Sequence, residues 1–449
     1  MSFPAYPQYK DSGMAWLGTI PDHWLLYRSK NVFSERNIKA LESDEQLTAS
    51  QKYGVIPQKL FSELEDQKVM QVILGRDILK KAEVNDFVIS MRSFQGGLEF
   101  SSYSGAVSSA YVPLYANKEL DNRFFKHLFK SASFISALQN TSNLVRDGQA
   151  LRYNNFVQLS LPFPSIHEQR TIGAFLDHET TRIDALIEEQ QRLIELLKEK
   201  RQAVISQAVT KGLGPAVPMK DSGVEWLGEV PAHWAVNTVR RCLVEHRQGY
   251  YSSAPYVDEG VKLLRITDLK GLGHIDILNC PQVEDVAELD NFLLKNGDVV
   301  FARTGGAGSF GIVSEIEGKL AYASYLIRFR FDLKRLNPQF LRYIFIADNF
   351  QVSVRANIHG GVNQNIHAED IKDVFVCLPP LEDQRDISLF LSSQCDLYNR
   401  LIDETFLAVD LMQERRSALI SAAVTGKIDV RGWQPPASAL TPELAQEAV

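Results

Sequence analysis

The chain is written twice. Residues 10–24, KDSGMAWLGTIPDHW, return at 220–234 as KDSGVEWLGEVPAHW, with ten of fifteen positions identical. A second pair starts at PSIHEQRTIGAFL (164–176) and PPLEDQRDISLFL (379–391). It runs without a gap to AVISQAVT (203–210) and ALISAAVT (418–425), with 18 identities in 47 positions. A repeat of this size restricts the fold more than any local propensity, because each copy must form one unit with a related core. Each copy reads as a variable globular stretch followed by a long helix.

The helices carry the clearest pattern. Pro164 and Pro379 precede their starts, Glu168 and Asp383 lie in the first turns where the helix dipole favours acids, and no Pro or Gly interrupts 174–211, nor 381–425. In one heptad frame, Leu176, Ile183, Gln190, Leu197 and Val204 fall at position a, with Ile172, Glu179, Leu186, Leu193 and Lys200 at d. The second copy places Leu391, Tyr398, Thr405, Met412 and Leu419 at a, and Ile387, Leu401 and Ala408 at d. Such a stripe has to be buried, and about 44 residues at roughly 1.5 Å each form a rod too long for one small domain. The simplest partner of each helix is the other, as an intramolecular antiparallel coiled coil with Gln190 and Thr405 as polar register markers. A second chain as partner is the competing reading.

Short strands dominate the variable stretches, for example VKLLRITDL (261–269), LKNGDVVFART (294–304) and KLAYASYLIRFRF (319–331), with short helices near 122–139 and 338–350. The expected fold is α+β, with two globular domains, each followed by a long helix, in pseudo-twofold relation. The expected boundaries are 1–163 and 164–211 for the first domain and its helix, 212–219 for a linker, 220–378 and 379–426 for the second pair, and 427–449 for a tail. KGLGPAVPM (211–219), with two Gly and two Pro, suits the linker.

Composition excludes several classes. Apolar residues at 45% and charged residues at 23% are ordinary globular values. No apolar run reaches the about 18 residues of a membrane span, and the N-terminus lacks a secretion signal. Four separated cysteines without a CxxC pair suit free thiols in a reducing cytoplasm and offer no zinc site. The net charge is −7, with +2 over residues 1–160 and −3 over 216–380, so any DNA role rests on local patches or on a basic partner.

Four motifs invite functional readings. Gly306-Ala-Gly308-Ser-Phe-Gly311 matches GxGxxG, but GIVSEIEGK after it reads as a strand or hairpin where a dinucleotide fold needs a helix. Asn337-Pro-Gln-Phe340 resembles the catalytic loop of adenine amino-methyltransferases without its second Pro, and reads better as a helix cap. Asp298 with Glu317 and Lys319 has the outline of a nuclease metal triplet, without counterpart in the first copy. The repeated Trp16, Trp24, Trp226 and Trp234 are read as anchors docking each domain's start against a helix end. No catalytic or metal residue is assigned.

The combination of DSGxxWLGxxPxHW, a strand with GDVVFARTG, and LPPLEDQR leading into a long helix, over roughly 6–428, resembles the specificity subunit of type I restriction–modification systems. The first copy departs with LPFPSIHEQR, and the second has Asp383 for the usual Glu. The resemblance implies a non-catalytic reader of a bipartite, asymmetric sequence in double-stranded DNA. Its helices would space the two domains and dock two methyltransferase subunits, with restriction–translocase subunits completing the enzyme. S-adenosylmethionine, ATP and Mg would belong to those partners and no cofactor to this chain. A coiled-coil scaffold whose domains bind protein is the alternative from another class.

Recognition domains of this family are hypervariable, so base readers are chosen by chemistry: Arg for guanine, Asn or Gln for adenine, on loops beside Gly. They are Arg92, Gln95, Arg146, Gln149, Arg152 and Tyr153 in the first half, and Arg265, Arg303, Thr304, Asn363 and Gln364 in the second. Lys52, Lys80 and Lys81 are candidates for phosphate contacts.

Overall fold

The computed structural model describes residues 3–67, 78–90, 93–141, 151–214, 216–251, 255–360 and 364–435. Both long helices are unbroken, Ile166–Lys211 with 46 residues and Leu381–Val424 with 44. Two compact units result, and neither is one stretch of chain: Met1–Gln190 groups with Leu407–Val449, and Gln191–Phe406 forms the other. Each unit thus owns half of each long helix.

In the first unit a four-stranded antiparallel sheet runs in the order Phe33–Glu35, Val112–Ala116, Phe87–Ile89, Glu99–Phe100. Its buried face packs on the helices Asn122–Lys130 and Ala132–Gln139 through a nest of phenylalanines: Phe33, Phe87, Phe124, Phe125, Phe129 and Phe134 are all fully buried. Ring pairs such as Phe87 with Phe129, 5.0 Å apart and at 87°, meet edge to face as aromatic quadrupoles prefer. A separate strand, Leu25–Arg28, pairs with Ser160–Phe163 and delivers the chain to the first long helix. There Ile172, Phe175, Leu176 and Ile183 share the core with Leu419, Ile420, Ala423 and Val424 of the second helix.

The second unit repeats this plan. Its sheet runs Leu243–Gln248, Leu326–Phe331, Val299–Ala302, Phe310–Ile312, and Ala235–Thr238 pairs with Phe375–Leu378 just before the second long helix. Ile205, Ala208 and Val209 of the first helix share its core with Ile387 and Leu391 of the second. The copies differ in what they add. The first carries two small antiparallel strand pairs, Leu47–Ser50 with Gly54–Pro57 and Lys80–Ala82 with Gly105–Val107. The second carries a three-stranded mixed sheet of Gln282–Val283, Val261–Leu264 and Leu320–Tyr322.

The helices pair antiparallel inside the chain, as expected. Within the first unit Arg416 Nε lies 2.8 Å from Asp184 Oδ1, and within the second Arg201 donates to Asn399. The heptad frame is corrected in part. Ile183, Leu391 and Leu419 are buried, but Leu186, Leu193 and Leu401, at d, are 38–40% exposed. One partner helix covers a narrower seam than the apolar stripe provides. Thr405 is buried, yet its hydroxyl bonds Leu401 O in its own helix, so it supplies no bond across the pair. Charged and amide side chains make the polar contacts between helices.

Two buried glutamines link each long helix to its unit. Gln169 accepts from Asp121 N at 2.9 Å and donates to Pro164 O at 2.9 Å; Gln384 accepts from Asn337 N at 2.8 Å and donates to Pro379 O at 2.9 Å. Asp121 and Asn337 in turn cap the short helices Asn122–Lys130 and Pro338–Ile346. Truncating either glutamine leaves buried backbone groups unpaired, at about 1–3 kcal/mol for each such loss. Gln169→Ala and Gln384→Ala are therefore each expected to lower stability by that order in urea unfolding, with a Gln→Asn control failing to restore it because the shorter side chain cannot span both partners.

Candidate nucleic-acid interface

The repeated Trp–His segment is a clasp on the helix ends. In the first unit, Trp24 Nε1 donates to Glu168 Oε1 at 3.0 Å, His23 Nε2 lies 2.9 Å from Glu168 Oε2, and Tyr6 Oη donates to Oε1 at 2.7 Å. In the second unit His233 Nε2 and Trp234 Nε1 meet Asp383 Oδ2 at 2.9 and 3.0 Å. The same indole also receives the end of the other long helix. Gly426 (φ +72°) follows the second helix so closely that a Cβ there would lie 2.3 Å from Pro21 and 3.2 Å from Trp24. Gly212 (φ +76°) stands likewise against Trp234. Each clasp joins the start of one long helix to the finish of the other, so anchoring is the role of Trp24 and Trp234. Trp16 is half-buried against Phe134, whereas Trp226 is 40% exposed and anchors little.

Electrostatics supports the clasp. Burial opposes the charge of Asp383, but hydrogen bonds from His233 and Trp234 outweigh it and hold the carboxyl below its ordinary range. Burial first, and the bond to Glu168 second, push the Tyr6 hydroxyl far up, which keeps it a donor.

The tempting motifs resolve into scaffold. Gly306, Gly308 and Gly311 form the turn and second strand of a hairpin from Val299–Ala302 to Phe310–Ile312, with no helix after it. Asn337 accepts from Gln339 N and Phe340 N as a helix cap. Asp298 is buried in a two-pronged pair with Arg330, at 2.7 and 2.6 Å, while Lys319 turns to Asp285. That set does not converge. Among the described residues no group of three or more His, Cys, Asp or Glu could hold a metal ion.

Of the chosen base readers, Arg92, Arg146, Gln149 and Asn363 lie outside the described residues. In the first unit Gln95 is exposed on the short helix Ser93–Gly96, and Arg152 is exposed as the residue capping Tyr153–Phe156. Tyr153 is half-buried and donates to Phe33 O, a bond that ties it to the core. Lys52, Lys80 and Lys81 pair with Glu65, Glu35 and Asp44, so each positive charge already has a partner.

The second unit brings its candidates together. Thr304 bridges to Asn365, beside Gln364, and Ile366 N donates to Arg303 O. Gly305 and Gly306 pack against Ile266, next to Arg265. Arg265, Arg303, Thr304 and Gln364, spread over 100 residues of sequence, thus meet where three turns converge. Sequence reasoning named these residues but missed Asp268, which is 3% exposed and holds the Arg265 guanidinium with bonds of 3.1 and 2.9 Å.

Comparison with known proteins gives a consistent family. Residues 262–404 match the type I restriction modification DNA specificity domain. The MjaVIII specificity subunit of a type I restriction enzyme from Methanocaldococcus jannaschii is 23% identical over 355 residues, covering 77% of this chain and 80% of that protein. The EcoKI specificity subunit of Escherichia coli is 24% identical over 70% of this chain and 69% of its own length. A solved structure from work on complex assembly and conformational transition of the type I R-M system superposes with a TM-score of 0.68 at 14% identity, over 91% of this chain and 99% of that one. The HsdS subunit from Thermoanaerobacter tengcongensis gives 0.53 at 16% identity, over 91% and 98%. At these identities the structural likeness speaks for the fold.

The clasp carries a pH signature. A carboxyl held below its unfolded value stabilises the folded state above the unfolded pKa of about 3.9, and that contribution disappears as pH falls through the lower folded value. Asp383→Asn is therefore expected to lower the melting temperature at pH 7, with the gap from the parent chain closing below about pH 4 in thermal scans.

Proposed function

We propose that this chain, which belongs to the specificity subunits of type I restriction–modification systems, reads a split and asymmetric DNA sequence, one half-site per compact unit. One observation carries this reading: the two units share sheet order, helix caps and clasp, yet differ in the strands and turns added to that scaffold. A shared frame with divergent surface loops suits two related but unequal half-sites on one duplex. In the second unit the convergent Arg265, Arg303, Thr304 and Gln364 supply base-edge chemistry; in the first, Gln95 and Arg152, together with Arg92, Arg146 and Gln149, take that part.

The chain itself does no chemistry in this proposal. It docks two methyltransferase subunits, and restriction–translocase subunits join the assembly; S-adenosylmethionine, ATP and Mg act in those partners. Exposed leucines on the long helices support a docking role: Leu193, Leu196 and Leu397 in the second unit, and Leu407 and Leu411 in the first, are 40–60% exposed. No described helix is long and apolar enough to cross a membrane, and the four cysteines are free, which suits work in the cytoplasm.

Three measurements test the reading. Mapping methylated adenines in cells expressing the chain with its methyltransferase should give a two-part, non-palindromic motif with a fixed gap. A four-residue insertion near Gln190, within the first long helix, should change the gap and leave both half-sites intact; altered half-sites at constant gap would refute the spacer role. Because phosphate neutralisation supplies much of DNA affinity and the variable halves carry only +2 and −3, the isolated chain should bind weakly at physiological salt. Nanomolar binding without partners in a gel-shift titration would contradict that.

A further inference from the structure

Among the described residues, three arginines form two-pronged pairs with nearly fully buried aspartates whose carboxylates also accept a backbone N–H from three residues earlier. In two of them the aspartates stand at equivalent places of the repeat, while the arginines come from different strands of the sheet. Arg36 grips Asp86 at 2.6 and 2.9 Å, and Arg330 grips Asp298 at 2.7 and 2.6 Å; Glu83 N and Lys295 N donate to the same carboxylates. Asp86 and Asp298 each precede an equivalent strand of the conserved sheet, and Arg36 and Arg330 are only 16% and 21% exposed. These two pairs are framework.

The third pair has another setting. Arg265 donates through Nε and Nη2 to Asp268, whose carboxylate also accepts from Arg265 N at 2.8 Å, from Thr267 Oγ1 at 3.3 Å and from Cys280 Sγ at 3.6 Å. This pair belongs to a turn at Ile266–Asp268 that rests on the glycine turn after Thr304, outside the shared sheet. Tyr256, itself 57% exposed, is a further neighbour of the guanidinium.

We infer that Asp268 is a positioning residue for base recognition: it locks the Nε–Nη2 side of Arg265 and presents the Nη1–Nη2 edge to the O6 and N7 acceptors of one guanine. The inference rests on the DNA-reading function proposed above. A free arginine loses rotamer freedom on binding, whereas a guanidinium already held by a buried carboxylate has much of that ordering in place. A carboxylate that accepts from five donors is fixed in place and keeps the fork in register. Its negative charge also disfavours a misplaced phosphate, which directs Arg265 to a base edge and away from the DNA backbone.

The test uses the chain assembled with its methyltransferase subunit and a target library randomised at each half-site position, read by methylation. Arg265→Ala should relax preference at one G·C pair by roughly 10- to 100-fold, the range of a good bidentate contact. Asp268→Asn, which keeps shape but weakens the fork, should relax the same position, leaving the gap and the other half-site unchanged. Arg265→Lys, which keeps the charge on a partly exposed side chain, should do likewise, and it decides the question if Asp268→Asn melts early. Relaxation in Arg265→Ala but not in a folded Asp268→Asn would overturn the positioning role. Unchanged preference in both Arg265 variants would overturn the guanine contact. A parent complex that methylates without any split motif would instead refute the underlying function.

Discussion

A carboxylate in the first turn of each long helix, held by a neighbouring imidazole and indole, is the contact on which both units depend. Glu168 and Asp383 favour the helix starts through the dipole, and the same charges recruit His23 with Trp24 and His233 with Trp234. The indole face is then filled by the glycine that ends the other helix, where any side chain would collide in the first unit. Polar pairing and close packing thereby act at one spot. A buried glutamine one residue beyond each acid extends the constraint to the capped helix of its unit.

This arrangement explains why the most repetitive parts of the sequence are structural. Residues that hold helix ends must satisfy fixed distances, so their types recur in both copies. Recognition has the opposite requirement. Two half-sites that differ need different donors and acceptors, and in the proposed reading those of the second unit lie on turns that the shared sheet supports without specifying. The Asp86–Arg36 and Asp298–Arg330 pairs, whose aspartates recur at equivalent places, fall on the framework side of that division, and the Asp268–Arg265 pair on the variable side.

The exposed leucines along the long helices mark a second division of labour. An antiparallel pair of helices buries a narrow seam, and Ile183, Ile194, Ile205, Ile402 and Val409 occupy it. The remaining apolar residues lie at the flanks in each unit, beyond what an internal partner covers. In the proposed assembly that surplus is where other subunits attach.

Much of the fold was legible in the sequence because its signals are local or periodic. The repeat set the plan, and proline, acid and uninterrupted heptads marked the helices. Asn337 declared itself a cap through the proline after it. Single-sequence reasoning could name Arg265, Arg303, Thr304 and Gln364 by chemistry, but not that they share one surface, since contacts over 100 residues leave no periodic trace. Nor could it find Asp268 as the partner of Arg265, or see that each compact unit borrows half of a distant helix. Those features were decided by tertiary structure, because burial and hydrogen-bond geometry, and no pattern along the chain, select which polar groups meet.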